Sequence, residues 1–336
     1  MSTETALSYI RRELYSEEPQ HVTVDFLGGE PFLEFEKIKT ICETVWEKQW
    51  KNSYNFYCVT NGTLVHGEIK QWLEKHSKQF ICALSIDGRK QTHDINRSKS
   101  FDRIDVGFFR QNWPFVRAKT ICSKKTLNML ADSVKYIYGL GFPDIDLKLA
   151  YSFDWSDAAE MKMLREQLDI LVDFFFENPQ YKPFTLLNIN LGELNFDGKP
   201  IRPWCTLGGE TLSVDMFGKL FPCRYFQDLV RNNKISYSEL CTMDFSDIHN
   251  TLKGKCIRCL IRDVCRTCYA YNLDTCGDFG IKNNYSCKMS RISANSTAKL
   301  VLKKLSSIPE LSADDLKQKA AAEKVIAAYD NNSWFI

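Results

Sequence analysis

The 336-residue sequence predicts an α/β protein whose first half alternates strands and helices around a parallel sheet and whose second half is organised by cysteine. Three observations carry that expectation. Strand-like runs recur at 21–27 (HVTVDFL), 54–60 (YNFYCVT), 80–86 (FICALSI), 114–121 (PFVRAKTI) and 145–151 (IDLKLAY). Stretches of helical period lie between them, and nine of the 13 cysteines fall between Cys205 and Cys287. Parallel strands joined through helices make right-handed β-α-β units, either closed as a barrel or open as a doubly wound sheet.

The chain starts on a helix, with Ala6, Leu7, Ile10 and Leu14 on one face and Ser2 as N-cap. The strands that follow are mostly apolar enough for burial on both faces. Ile38, Ile41, Val45 and Trp46 form one helical stripe, and Ile69, Trp72 and Leu73 a second. Leu127, Leu130, Val134 and Ile137 form a third, stopped by Gly139 and Gly141. A further helix is expected over 156–178, then a turn-rich junction at Pro183, Pro200 and Pro203. The tail SADDLKQKAAAEKVIAAYD, with Ser312 as cap and acids in its first turn, predicts a closing surface helix. These features divide the chain into 1–180, 181–290 and 291–336.

A hydrophobic content of 44% is ordinary for a globular chain with a sizeable core. A formal net charge of +2, with no dense Lys/Arg block, gives no field for nucleic acid or an anionic membrane. No apolar run is long enough to span a bilayer, and the opening MSTETALSYIRREL lacks the parts of a signal peptide, so a cytoplasmic location is expected. Disulfides are rare there, and clustered thiols point to metal or redox chemistry.

Ligands of parallel α/β folds sit at the carboxyl ends of the strands. Here those ends read Gly28-Gly29-Glu30-Pro31, Thr60-Asn61-Gly62 and Ser85-Ile86-Asp87-Gly88. Each is a common turn sequence taken singly, but three polar ends in succession offer acceptors and donors for an amino group, a ribose and a carboxylate. GGEP, TNG and SIDG in this order, the last followed by His93, Asp94 and Arg97, resemble the radical S-adenosylmethionine (radical SAM) family with a C-terminal SPASM extension. The resemblance spans about residues 1–290. It implies a partial (β/α)6 TIM-like barrel, here missing its first strand, followed by a cysteine-rich SPASM domain and C-terminal helices. It also implies that Gly28, Gly29, Glu30 and Pro31 face the methionine amino group of S-adenosylmethionine, with Thr60, Asn61, Ser85 and Asp87 near the rest.

In the second half Cys205 is followed by twelve residues, Gly218, four residues and Cys223, and then come Cys256-x2-Cys259-x5-Cys265-x2-Cys268, Cys276 and Cys287. Thiols two residues apart grip one metal or one cluster face. A structural zinc site from Cys256, Cys259, Cys265 and Cys268 is the plainer alternative. The whole pattern resembles the SPASM arrangement for auxiliary [4Fe-4S] clusters. By that likeness Cys205, Cys223 and Cys268 ligate one cluster, and Cys256, Cys259, Cys265 and Cys287 a second. Two residues precede Cys268 where the family has three. Cys276 is extra, either a fourth ligand to the first cluster or, the favoured reading, a buried thiol. Arg224 stands where sulfatase-maturing members carry an acidic base, which argues against that substrate class.

The family generates its radical with a cluster on a C-x3-C-x2-C loop, and this sequence contains no such run. Cys42, Cys58 and Cys82 lie in a helix and two strands and are read as small buried hydrophobes. A start chosen too late, a degenerate relative and a split enzyme are the explanations open at this point. The resemblance implies a peptide or protein maturase that abstracts a hydrogen atom once that loop is supplied, with a peptide or small-protein substrate and a flavodoxin or ferredoxin as electron donor. The segment Thr267-Cys268-Tyr269, with Tyr271-Asn272, resembles the variant found in peptide maturases. The alternative is an inactive relative serving as an electron relay or substrate-binding partner.

Overall fold

A computed structural model describes residues 1–18, 20–151, 154–194, 205, 207, 210–245 and 252–335; Pro200 and Pro203, expected at the junction, lie outside the described residues. These residues form two compact units, Met1–Phe153 with Gln180–Thr185, and Asp154–Pro179 with Leu186–Ile336.

In the first unit, helix α1 (Thr3–Leu14) begins where the Ser2 side chain accepts the Thr5 N–H, and it buries the predicted face of Ala6, Leu7, Ile10 and Leu14. Strands β1 (His21–Phe26), β2 (Ser53–Thr60) and β3 (Phe80–Leu84) pair in parallel in that order. Strands β4 (Ala118–Cys122) and β5 (Ile145–Leu149) also pair in parallel, and a parallel bridge from Ser85 to Lys119 joins the end of β3 to β4. Spatial order therefore follows chain order, without the reversal that defines a doubly wound sheet. Helices α2 (Phe35–Trp46), α3 (Gly67–Lys75) and α6 (Leu130–Gly139) use the predicted stripes. Their rings lock onto the sheet: Trp46 stacks on Trp72 at 5.6 Å, and Trp72 meets Phe80 edge-on at 5.3 Å. Helices α4 (Lys90–Asn96) and α5 (Val106–Asn112), of seven residues each, are too short to leave a periodic signature.

Two expectations are corrected. β1 is not buried on both faces: its residues alternate between exposed and half-buried, and among the described residues it pairs on one side only, with β2. The fourth strand begins at Ala118 rather than 114, because the Val116 N–H closes a turn on Trp113 O and Pro114 has no N–H to give a ladder.

In the second unit, α7 (Ala158–Glu177), capped by Asp157, packs on the long α11 (Asn284–Leu305), whose other neighbour is α12 (Ala313–Asp330). Ser312 and Asp315 form the capping box of α12. The closing helix is less superficial than its sequence suggests, since Ala321, Ala322, Val325 and Ala328 are buried with Ala294 and Ala298 of α11. Between α7 and α11 lie the hairpin β6 (Ser213–Val214) and β7 (Leu220–Phe221), then α8 (Arg224–Arg231), α9 (Tyr237–Cys241) and α10 (Tyr269–Cys276). Gly218 adopts φ +81° in the hairpin turn, which accounts for the glycine five positions before Cys223.

Gly88, just past β3, has φ +129°, and a Cβ there would stand 2.4 Å from Ser133 Oγ on α6. Gly88→Ala is expected to destabilise the protein by about 2–4 kcal/mol from backbone strain and overpacking together. Urea unfolding measures this, and a variant as stable as wild type refutes the clash.

Candidate functional site

The ends of β1, β2 and β3 are tied together by one carboxylate. Pro31 opens a 3-10 turn (Pro31–Glu34) that Glu30 caps, with Oε1 accepting the Phe32 N–H at 3.2 Å. The same oxygen accepts the Thr60 hydroxyl at 2.7 Å, and Oε2 accepts the Asn61 N–H at 2.8 Å. Three of the roughly four acceptor positions of a carboxylate are thus used internally, which leaves one for a cationic ligand. Asn61 turns its Oδ1 on Thr63, accepting from the backbone N–H at 2.9 Å and the hydroxyl at 2.7 Å. Its amide NH2 and the hydroxyl of buried Ser85 have no protein partner among the described residues. Gly62, at φ +78°, is a structural glycine, because a Cβ would meet Leu84 Cδ1 at 2.9 Å. Gly28 and Gly29 are different: no atom lies within 4 Å of where a Cβ would be, so their backbone is bare to solvent or ligand.

Asp87 has another task. Its fully buried carboxylate takes Arg97 Nε at 2.8 Å and Nη2 at 3.0 Å, a bidentate pair, and also accepts the Ile121 N–H at 2.9 Å. It fastens the end of β3 to β4 and to α4. His93, completely buried on α4, places Nε2 3.0 Å from Ser100 Oγ and takes the Asp87 N–H on Nδ1 at 3.4 Å. Burial lowers the His93 pKa, with Asp87 partly opposing.

The cysteines fall into two sets. Cys205, Cys223 and Cys268 pack against one core cluster that includes Phe226 and Tyr269, and the three thiols interact electrostatically. Cys223 is the N-cap of α8, its Sγ accepting the Tyr225 N–H at 3.4 Å, and Cys268 is the N-cap residue of α10 without a side-chain cap hydrogen bond. Burial raises both thiols, and the helix-start N–H groups oppose that rise. Cys256, Cys259, Cys265 and Cys287 instead line one cavity holding about 680 Å³ of empty space, its open mouth included. Burial pushes Cys259 up to about 11 and also raises Cys256.

The wall of this cavity carries Lys255, Arg262, Lys282 and Arg291 against one carboxylate, Asp263, which pairs with Arg262 at 3.1 Å. Lys282, only 8% exposed, donates to Cys265 Sγ at 3.4 Å, Arg266 O at 3.0 Å and Ser290 Oγ at 2.6 Å. The sequence gives no sign of it, since a lone lysine ahead of a cysteine has no pattern to read.

The structure thus divides the 256–268 run, three thiols to one set and Cys268 to the other, and does not gather the quartet that a zinc staple needs. Among the described residues no three His, Cys, Asp or Glu close on a single metal ion. A cubane cluster takes one sulfur at each iron corner, so its ligands stand further apart than donors to a lone zinc, and four thiols around a cation-walled cavity suit it. Cys276 is exposed at the far end of α10 from Cys268, which corrects the expectation of a buried thiol and sets it apart from that set. Cys42, Cys58 and Cys82 are buried in the first unit, and burial raises Cys42 and Cys58, as suits inert core thiols. No helix among the described residues is long and apolar enough to cross a membrane.

Two expectations follow from the Asp87 knot. Arg97→Ala strands a buried carboxylate and should cost about 3–5 kcal/mol by urea unfolding, partly recovered in the Asp87→Asn double variant; an unchanged midpoint removes the ion pair from the account. Because the His93 pKa is lowered on folding, the unfolded chain binds the extra proton first. Stability contributed by neutral His93 is therefore full above the ordinary value of about 6.5 and falls as pH drops below it. Unfolding midpoints at about pH 7.5 and 5.5 should differ less in His93→Gln than in wild type.

No family model matches the chain. Among curated proteins it is similar to the radical SAM cyclopropyl synthase TigE of Paramaledivibacter caminithermalis, 19% identical over 234 residues, covering 67% of this chain and 49% of TigE. The chain therefore spans about half the length of that relative. It is 22% identical over 325 residues to a cysteine-type anaerobic sulfatase-maturating enzyme of Clostridium perfringens, covering 86% and 84% of the two chains. Among solved structures it shares its fold with native anSMEcpe with bound AdoMet and Kp18Cys peptide, at TM-score 0.65 and 20% identity over 90% of each chain. Native anSMEcpe with bound AdoMet gives 0.61 and 21% over 88% and 87%. The α/β fold is thus shared across nearly the whole chain.

Proposed function

Taking as premise that this chain is a distant relative of the radical SAM enzymes with a SPASM-type extension, we propose that it is an iron–sulfur protein carrying two auxiliary [4Fe-4S] clusters. The carrying observation is the sorting of seven cysteines into a set of three and a set of four, the latter around a cavity walled by cations. Cys205, Cys223 and Cys268 hold one cluster, and Cys256, Cys259, Cys265 and Cys287 the other. When bound, such clusters supply one-electron transfer or an iron site for substrate. The chain's own residues supply the rest: the Tyr225 N–H at the start of α8 orients Cys223, and the cavity wall balances negative sulfur.

Residues 1–180 are read as a partial (β/α) barrel, of which Asp154–Pro179 falls with the second compact unit, and 181–290 as the auxiliary-cluster domain. The barrel's strand ends seat S-adenosylmethionine: bare Gly28 and Gly29 with Glu30 take the amino group, and the open polar atoms of Asn61 and Ser85 take the ribose and carboxylate side. Pro31 and Thr60 hold Glu30 in place, and Asp87 acts by fixing the strand end.

The reaction class is maturation of a peptide or small protein by hydrogen-atom abstraction, with a flavodoxin or ferredoxin as electron donor. It is supported by likeness to a cyclopropyl synthase, to a sulfatase-maturating enzyme and to structures with peptide bound. Arg224 beside Cys223 favours a substrate other than that of the sulfatase-maturating class. These 336 residues contain no C-x3-C-x2-C run, so no radical-generating step is derived from them.

Anaerobic reconstitution with iron and sulfide tests the assignment. Cys223→Ala, which leaves two thiolates in its set, should remove about four iron atoms per chain, and Cys259→Ala, which breaks the four-thiolate site, should lower the iron retained there. Unchanged iron in both, or zinc in place of iron in wild type, overturns it.

A further inference from the structure

We propose that Lys282 is a positioning residue of the four-cysteine cavity, raising the reduction potential of the cluster bound there by placing a buried positive charge and an N–H donor on the sulfur of Cys265. The inference rests on the reading that Cys256, Cys259, Cys265 and Cys287 hold an iron–sulfur cluster.

Lysine is almost never buried without a counter-charge, because taking an ammonium out of water is costly. Lys282 is nevertheless 8% exposed, and among the described residues no carboxylate pairs with it. Asp263, the acid in the cavity wall, is committed to Arg262 at 3.1 Å. The three hydrogens of the Lys282 ammonium have three acceptors, and two of these, Arg266 O and Ser290 Oγ, are neutral. The third is Cys265 Sγ, at 3.4 Å. Compensating negative charge at this position therefore comes from sulfur. The side-chain tip of Lys282 thus reaches one of the four sulfurs, that of Cys265.

Ser290 lies one turn after Cys287 on α11, so the helix that delivers the fourth thiol also anchors the ammonium. Adding an electron to a cluster increases its negative charge. A fixed ammonium and an N–H···S bond stabilise that reduced form more than the oxidised one, which moves the potential upward.

The test uses the full chain reconstituted with ferrous iron and sulfide, titrated with dithionite and followed by electron paramagnetic resonance. Cys259→Ala identifies the signal that belongs to this cavity. In Lys282→Gln, iron content should equal wild type while that signal appears at a more negative potential, and Lys282→Arg, which keeps the charge, should recover part of the shift. Equal iron with an unmoved potential overturns the role of Lys282 and leaves the cluster assignment standing. Wild-type protein that takes up no iron overturns the cluster assignment itself. Should Lys282→Gln fail to fold or to hold iron, Ser290→Ala carries the test, since it frees the ammonium from one acceptor without removing it. A smaller downward shift supports the role, and an unmoved potential refutes it.

Discussion

Thiol sulfur is held half-buried at seven places in the second unit, and that constraint governs how the unit is built. A thiol out of water resists ionisation, as the rise of Cys259 to about 11 records, so each sulfur meant to carry charge needs donors or cations close by. The chain provides them in two ways. Cys223 and Cys268 sit at helix starts, where the first N–H groups have no intrahelical partner, and at Cys223 the Tyr225 N–H turns to the sulfur. The other four face a wall of lysine and arginine side chains. The two devices separate the sets chemically as well as spatially, one relying on backbone dipoles and the other on formal charge.

The helical layer around α11 makes the second device possible. Cys287 enters near the start of that helix, and Ala294 and Ala298 further along let α12 approach closely enough to bury Val325 and Trp334 in the same cluster. The backbone bond from Leu260 N to Trp334 O at 2.8 Å, with the bridge from Cys259 to Phe335, brings the chain terminus across the cysteine loop. Arg291 lies 5.0 Å from the rings of both Trp334 and Phe335, so the closing segment helps hold a cavity-wall cation.

In the first unit the governing interactions are two carboxylates with opposite fates. Glu30 binds Thr60, Asn61 and Phe32 yet keeps an open acceptor position beside bare glycine backbone, whereas Asp87 is spent on Arg97 and Ile121. The first is a clamp with a free edge, and the second is a rivet. A ligand pocket at strand ends needs both, because groups that contact a ligand are useful only if their strands are fixed relative to each other.

The sequence by itself determined the parallel α/β class, the helical stripes, the caps at Ser2 and Ser312, and the concentration of chemistry in the thiols. All of these are encoded in local spacing that the backbone period converts directly into faces and turns. It also carried the family likeness through GGEP, TNG, SIDG and the cysteine intervals. Only the tertiary structure decided that Cys276 is exposed, that β1 has a half-exposed alternation, and that Asp87 serves Arg97. It alone revealed Lys282, a residue whose meaning comes from a sulfur 17 positions away. The physical reason is the same throughout: burial and partnership depend on which distant segments fold against a residue, and local sequence does not contain that information.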